Sequence, residues 1–200
     1  KITIKRSMIY VILICFLALM ILIQFNYFTI LLGLGSMILA FSYPFMKRIT
    51  YWPQLFLGLT FNWGIIMAWA SMNNDINIQI VLLYISAIFW TLGYDTIYGA
   101  QDISDDEIIG LKSTSVKFKN KIKMFVAIAY SITILTTIYL FKSFIGLNLF
   151  SLLLVLFFLS LIYQVIKFNK NNPISCLSMF KYNNYSGLIL FLSIINLDSL

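Results

Sequence analysis

The side chains best suited to chemistry form one acidic cluster in the middle of the chain. Five of the seven acidic residues lie between positions 95 and 107, namely Asp95, Asp102, Asp105, Asp106 and Glu107. If the backbone is helical there, Tyr98, Asp102 and Asp106 recur every four residues and share one face. Two carboxylates one helical turn apart can share a divalent cation, and Mg²⁺ typically binds one or two carboxylates together with phosphate oxygens. The cluster predicts a metal or cationic-ligand site, with a solvated acidic loop as the alternative.

A glycine, a lysine and two hydroxyls follow the acidic cluster. Gly110 permits a tight turn or a close backbone approach. Lys112 precedes Ser113 and Thr114, and a lysine ammonium binds phosphate as a point charge. Together with the acidic cluster, these residues supply what a Mg²⁺–diphosphate site needs. Lys112 can equally be the first member of a basic stretch, and for residues 117–123 we favour contact with anionic lipid headgroups.

A second stretch, residues 43–54, reads YPFMKRITYWPQ and carries one arginine. Arg48 can bind a carboxylate through two parallel hydrogen bonds. Spacing alone favours a simpler interpretation, in which Arg48 only helps to orient a membrane protein. Further along, Asn62 lies within an apolar run, where an interhelical hydrogen bond, averaging about 0.6 kcal/mol, accounts for it.

The composition excludes several classes of protein. Of the 200 residues, 61% are hydrophobic and 10% are charged, and the mean hydropathy is +0.93. A soluble domain is about 45–50% apolar and about 25% charged, so neither a soluble globule nor a disordered chain fits. The absence of histidine excludes histidine triads and histidine-bound zinc. Cys15 and Cys176 suit neither a metal site nor a disulfide framework. The net charge of +7 comes from basic residues that flank apolar runs, which indicates membrane topology rather than a nucleic-acid partner.

Long apolar runs predict an all-α polytopic membrane protein. A helix needs roughly 17–25 mostly apolar residues to span a bilayer, and these runs do not alternate with the period of a β-barrel strand. The predicted spans, of which the last is short, are Ser7–Ile23, Phe28–Tyr43, Gln54–Ala70, Ile78–Asp95, Met124–Phe141, Phe144–Ile166 and Tyr185–Leu197. The sequence therefore predicts a bundle of about seven transmembrane helices in a single domain, residues 1–200, with a specialised catalytic loop at residues 95–123.

The positions of the basic residues orient these spans. With the amino end in the cytoplasm, the cytoplasmic segments are residues 1–6, 44–53, 96–123 and 167–184. They contain every lysine and arginine except Lys142, which agrees with the positive-inside rule. The acidic cluster and Arg48 are thus predicted on the cytoplasmic side and the carboxyl end on the outer side. A transporter is disfavoured, because no charged residue lies in the middle of a span.

Several stretches resemble the UbiA superfamily of intramembrane aromatic prenyltransferases, in particular its branch that prenylates 4-hydroxybenzoate. Residues 43–48, with Trp-Pro-Gln-x-x-x-Gly at residues 52–58, resemble that branch's signature between two spans. Residues 94–106 and 109–114 resemble the second aspartate-rich motif and the loop after it, and residues 184–188 resemble the start of the last span. Gly99 and Ser115 depart mildly from the pattern, in which alanine is expected.

This resemblance implies an enzyme and a set of site residues. The implied reaction transfers a polyprenyl group from polyprenyl diphosphate to the ring of 4-hydroxybenzoate, in ubiquinone biosynthesis at the cell inner membrane. Asp102 and Asp106 would hold Mg²⁺ on the diphosphate, with Tyr98 one turn before them. Lys112 would lie near the diphosphate and Arg48 near the carboxylate of the aromatic acid. Catalysis would depend on both aspartates and on Arg48.

One departure from the family pattern is large. The family has nine spans and a first motif of the type Asn-Asp-x-x-Asp-x-x-x-Asp, which this sequence lacks. Residues 73–77 are no substitute, because their spacing differs and they are predicted on the opposite side. Seven spans and a first residue other than methionine predict the loss of two amino-terminal helices. Two alternatives stay open, a truncated or split-gene protein that is inactive alone and a UbiA-type enzyme with another acceptor.

Overall fold

A computed structural model describes residues 3–199, with side chains for residues 3–197, so the predicted cytoplasmic residue Lys1 lies outside the described residues. Within residues 3–199 every regular element is helical, which confirms the all-α class. The α-helices in chain order are α1 (Ile4–Leu22), α2 (Tyr27–Ser42), α3 (Met46–Ile49), α4 (Pro53–Phe61), α5 (Trp63–Asn73), α6 (Ile78–Gly99), α7 (Ile103–Ile109), α8 (Thr114–Lys117), α9 (Ile122–Phe141), α10 (Leu149–Lys167) and α11 (Pro173–Ile195). Short 3₁₀ turns occupy Tyr43–Phe45, Ala100–Asp102 and Asn196–Ser199.

Six helical segments of the described chain are long and apolar enough to cross a membrane. They are Ile4–Leu22, Tyr27–Ile49, Pro53–Asn73, Ile78–Ile109, Ile122–Phe141 and Leu149–Lys167. The chain is therefore a multi-pass membrane protein. The predicted seventh span, Tyr185–Leu197, overlaps the second half of α11, which begins at Pro173 and carries Lys181 and Asn183 near its middle. Because α11 is not among the six, a seventh crossing and the side of the carboxyl end stay predictions.

The segment predicted as a loop, residues 95–123, is more helical than expected. α6 continues to Gly99, and α7 and α8 follow. Gly110 has a φ of +77°, and this left-handed conformation ends α7. Ser113 then caps α8, because its hydroxyl accepts a hydrogen bond from the Val116 N–H at 3.1 Å. These two residues turn the chain back toward α6.

The centre of the bundle is α6, which packs against α4, α5, α9 and α11. Its approach to α9 is very close at Gly93, where a Cβ atom would overlap the ring of Tyr130. The Tyr130 side chain is only 2% exposed, so its ring has little room to move. The missing side chain at Gly93 therefore allows the two helices to pack at this distance.

Polar side chains inside the bundle pair with one another. Asn62 Nδ2 donates to Thr91 Oγ1 at 2.8 Å, which confirms the interhelical hydrogen bond expected from the sequence. The Tyr130 hydroxyl donates to Gln164 Oε1 at 2.7 Å, and Gln164 Nε2 donates to Ser186 Oγ at 3.1 Å. Hydrocarbon offers no alternative partner, so these bonds restrict how α9, α10 and α11 can rotate against one another.

Replacing Gly93 tests this packing. We expect Gly93→Ala to destabilise the protein by roughly 1–3 kcal/mol, because the new methyl group overlaps the buried Tyr130 ring. The measurement is the midpoint of thermal unfolding in a neutral detergent. Gly35→Ala in α2 is the matched control, since a Cβ there meets no atom within 4 Å and alanine favours a helix. Equal melting of the two variants would contradict the close approach at Gly93.

Candidate functional site

The acidic cluster lies where α6 ends and the chain turns back along it. Asp95 is within α6, Asp102 immediately precedes α7, and Asp106 is in the first turn of α7. The returning chain is fixed to α6 by α8. The hydroxyls of Thr96 and Thr114 lie 2.7 Å apart, and the Ser115 hydroxyl donates to the Thr96 carbonyl at 2.8 Å. These hydroxyl groups are buried, so the bonds hold the chain after the acidic cluster in place against α6.

Asp106 is the buried carboxylate of the acidic cluster, with 5% of the residue exposed. Its Oδ2 atom lies 4.0 Å from Lys47 Nζ and has no hydrogen-bond donor among the described residues. Lys47 attracts this carboxylate, whereas Asp102 and Asp105 repel it. Buried polar atoms usually have a hydrogen-bond partner. An oxygen without one, in a group of repelling carboxylates, is suited to accept a cationic ligand.

Lys47, rather than Arg48, is the basic side chain of residues 43–54 that contacts the acidic cluster. Its Nζ lies 4.0 Å from Asp106 Oδ2, and its charge attracts Asp95 as well as Asp106. Arg48 is exposed and forms no salt bridge within the part of the chain that the structure describes. Lys47 was not predicted as a site residue, because the positive-inside rule explains both basic residues equally well. The sequence did offer a signal, because Lys47 stands beside Arg48 in one motif. Consecutive side chains of a helix point in different directions, so only one of the two can face the acidic cluster.

Lys112 connects the two motifs through its backbone and its side chain. Its backbone N–H donates to the carbonyl of Lys47 at 2.7 Å. Its Nζ donates to the carbonyl of Ile49 at 3.2 Å and lies 5.6 Å from the ring centroid of Tyr51. The segment after the acidic cluster is thus bound directly to α3, and the Lys112 ammonium lies on the same side of the bundle as Lys47.

The five predicted site residues are only partly brought together. Asp102 and Asp106 interact electrostatically. Lys112 is bonded through its backbone to Lys47, whose ammonium lies 4.0 Å from Asp106. Tyr98 is half exposed, and its ring packs on Phe180 of α11 with the ring centroids 4.6 Å apart. Arg48 is exposed at the edge of this group. Within residues 3–197, no three Asp, Glu, Cys or His side chains lie close enough together to hold a metal ion.

A buried glutamine supports the site and was not predicted from the sequence. Gln54, at the start of α4, is 3% exposed, and its Oε1 accepts a hydrogen bond from the Thr114 N–H at 2.9 Å. The signal that could have found it is a polar amide at the start of a membrane span, directly after Pro53. It links α4 to α8 and thereby holds the segment that follows the acidic cluster.

The two mild departures from the pattern expected by resemblance lie against each other. A Cβ atom on Gly99 would be 2.8 Å from Ser115 Oγ and 3.2 Å from Gln54 Nε2. Glycine at position 99 therefore makes room for the hydroxyl at position 115, which bonds to Thr96. The packing therefore couples the residues at positions 99 and 115.

A double-mutant cycle tests this coupling. Gly99→Ala should destabilise the protein in the presence of Ser115 and should cost less beside Ser115→Ala, because the overlapping hydroxyl is then gone. We expect a coupling free energy of about 1 kcal/mol, within the range for residues in contact. The four proteins are compared by thermal unfolding in the same detergent. Strictly additive effects would show that positions 99 and 115 are independent.

The fold and the site define a helical membrane protein with clustered carboxylates and lysines at one end of its bundle. The family model described as "UbiA prenyltransferase family" matches residues 1–194, and the chain belongs to this family. The resemblance expected from the motifs is thereby confirmed.

Curated relatives are similar over most of this chain. The mitochondrial 4-hydroxybenzoate polyprenyltransferase of Bos taurus is 41% identical over 185 residues, which cover 90% of this chain and 48% of that protein. The human protein of the same name is 40% identical with the same coverage. That of Arabidopsis thaliana is 50% identical over 109 residues, covering 54% of this chain and 27% of that protein. The chain thus spans about half the length of the first two of these relatives.

Two solved structures share the fold. The apo structure of a UbiA homolog from Aeropyrum pernix K1 has a TM-score of 0.72 at 21% identity, covering 90% of this chain and 67% of that one. A structure of digeranylgeranylglyceryl phosphate synthase has a TM-score of 0.70 at 14% identity, covering 97% of this chain and 70% of that one. At these identities the likeness concerns the helical architecture alone.

Proposed function

We propose that the protein transfers a polyprenyl group from polyprenyl diphosphate to the ring of 4-hydroxybenzoate, a step of ubiquinone biosynthesis. The names of relatives about 40% identical over 90% of the chain support this reaction. The structural observation that carries it is the bond from the Lys112 N–H to the Lys47 carbonyl at 2.7 Å. This bond joins the acidic segment to residues 43–54, which supports a single site for an anionic donor and an acid acceptor.

The carboxylates of the acidic cluster fit a magnesium ion bound together with a diphosphate. Asp106 has a buried oxygen without a hydrogen-bond donor, and Asp102 is its electrostatic neighbour. Mg²⁺ commonly uses one or two carboxylates and completes its shell with phosphate oxygens and water. Asp102 and Asp106 would hold the ion. When bound, it would act as a Lewis acid that neutralises the charge of the leaving diphosphate.

The chain's own basic residues complete the proposed mechanism. Lys112 and Lys47 add positive charge on the diphosphate side, and the Lys112 ammonium keeps two donors beyond its bond to Ile49. The exposed guanidinium of Arg48 would bind the carboxylate of 4-hydroxybenzoate through two hydrogen bonds. Tyr98, beside the acidic segment, would contact the substrate.

The bond between the allylic carbon and the diphosphate oxygen breaks, a carbon–carbon bond forms ortho to the ring hydroxyl, and the ring proton leaves. The apolar bundle keeps water from the allylic cation.

The proposed location is the inner membrane, with the site on the cytoplasmic side. The six apolar segments make the chain a multi-pass membrane protein. Apart from Lys142, its basic residues fall in the segments predicted to be cytoplasmic, and this asymmetry orients membrane proteins. The polyprenyl tail would lie among the helices and the lipid bilayer.

Conservative replacement of the aspartates tests the metal assignment. Asp102→Asn and Asp106→Asn should each lower kcat for formation of 3-polyprenyl-4-hydroxybenzoate by about 100-fold. Each variant loses a carboxylate that would hold the ion, and the ion would stabilise the charge of the leaving diphosphate. Activity is measured in membranes that contain the complete encoded protein, over a range of Mg²⁺ concentrations. Asp105→Asn is the matched control, since Asp105 is an exposed acid of the same helix. If the three variants behaved alike, neither aspartate would have the assigned role.

The role of Arg48 is tested by separating the two substrates. We expect Arg48→Gln to raise KM for 4-hydroxybenzoate roughly tenfold or more, with little change in KM for the polyprenyl diphosphate, because only the acid loses its charged partner. Arg6→Gln removes a basic residue from an exposed position of α1 and serves as the control. A larger effect on KM for the polyprenyl diphosphate would assign Arg48 to the donor instead.

Other aromatic acceptors, competed against 4-hydroxybenzoate, identify the preferred acceptor in the same assay.

A further inference from the structure

A lysine-lined cavity lies at the end of the bundle, between the start of α9 and the segment that follows α10. It has a volume of about 460 Å³ and is lined by residues 119–124 and 169–171. Seven of its nine lining residues carry polar hydrogen-bond donors, and these are Lys119, Lys121, Lys123, Lys170, Asn120, Asn169 and Asn171. No lining residue is acidic. We call this site the lysine cavity.

The charges of the lysine cavity are largely uncompensated. Glu107, which lies outside the lining, pairs with Lys119 at 2.6 Å. The ammonium of Lys170 donates to the Lys119 carbonyl at 2.8 Å, and that of Lys123 donates to the Ile166 carbonyl at 3.1 Å. These bonds connect the two sides of the cavity and use one donor of each ammonium, which leaves two donors free. Lys121 is exposed and forms no salt bridge among the described residues.

The surface that adjoins the lysine cavity is apolar. The cavity lies at the start of the span Ile122–Phe141 and at the end of the span Leu149–Lys167. Exposed side chains extend from it along both helices at helical spacing, Met124 and Ile128 on one and Ile162 and Ile166 on the other. Such side chains contact lipid tails in a bilayer. A ligand with an anionic head and apolar tails would match the cavity and both stripes.

We propose that the lysine cavity binds the phosphate headgroup of an anionic phospholipid, such as phosphatidylglycerol, whose acyl chains lie along α9 and α10. Topology alone requires basic residues on one side, but it does not require donors from two segments to converge on a cavity. Basic pockets between membrane helices are typical sites for anionic headgroups. The bound phosphate would hold the two segments together and thereby stabilise the packing of α9 against α10. The ion pair between Lys119 and Glu107 joins this cavity to the acidic cluster, but the proposal does not depend on the proposed reaction.

Lipid-dependent stabilisation tests this site. The protein in neutral detergent is titrated with short-chain phosphatidylglycerol, with phosphatidylcholine of the same chain length, or with glycerol phosphate alone, and the unfolding midpoint is measured. We expect phosphatidylglycerol to raise the midpoint by several degrees more than either other compound, because a ligand that binds only the folded state stabilises it. The variant Lys121→Gln/Lys123→Gln/Lys170→Gln should lose at least half of this difference. The control, Lys5→Gln/Arg6→Gln/Lys181→Gln, removes as much charge elsewhere and should retain it.

Three other outcomes would overturn the proposal. Equal losses in the two triple variants would indicate a diffuse surface potential rather than a site. Equal stabilisation by glycerol phosphate would indicate a general anion site without a role for the lipid tails. Equal effects of the two phospholipids would exclude headgroup recognition. If the first triple variant did not fold, Lys121→Gln alone would replace it, and we expect that single change to weaken phosphatidylglycerol binding about twofold in native mass spectrometry.

Discussion

A polar group inside a lipid bilayer has no solvent to bond with, and this bundle is organised around that constraint. Asn62 pairs with Thr91, Tyr130 with Gln164, and Gln164 with Ser186. Each pair joins different helices, so the bonds fix rotation and register as well as satisfying the polar atoms. The position of α6 among its neighbours follows from the Asn62–Thr91 pair and from the close approach at Gly93.

At the candidate site, satisfied polar groups lie beside a carboxylate oxygen that has no hydrogen bond. Three buried hydroxyl groups and the Gln54 amide satisfy the chain that returns along α6. Asp106 Oδ2, close to them, is left with a lysine at 4.0 Å and without a hydrogen bond. Among the described residues, Asp106 Oδ2 and Thr29 Oγ1 are the buried side-chain atoms without a hydrogen-bond partner, and of the two only Asp106 belongs to a charged group. Local incompleteness of this kind is typical of sites that bind a charged ligand.

Much of the fold could be predicted from the sequence, because a membrane span needs only a long apolar run. The helix ends within residues 95–123 could not, since they depend on the left-handed turn at Gly110 and the cap at Ser113 rather than on hydropathy. Asp102, Asp106 and Lys112 were recognisable from their spacing and from the family pattern. Lys47 was not recognisable as a site residue, because adjacent lysine and arginine residues contribute equally to the positive-inside rule. Which of the two faces inward depends on how α3 packs, and that is a tertiary property.

The bond between Lys112 and Lys47 also has an evolutionary consequence, because it joins main-chain atoms. Its donor is a backbone N–H and its acceptor a backbone carbonyl, so the identity of either side chain does not affect it. Positions 47 and 112 can therefore change their charge, and with it the ligand they favour, while the two motifs stay joined. Proline at position 112 is the exception, since it has no N–H to donate. The architecture of the site and its chemistry can thus diverge separately among related sequences.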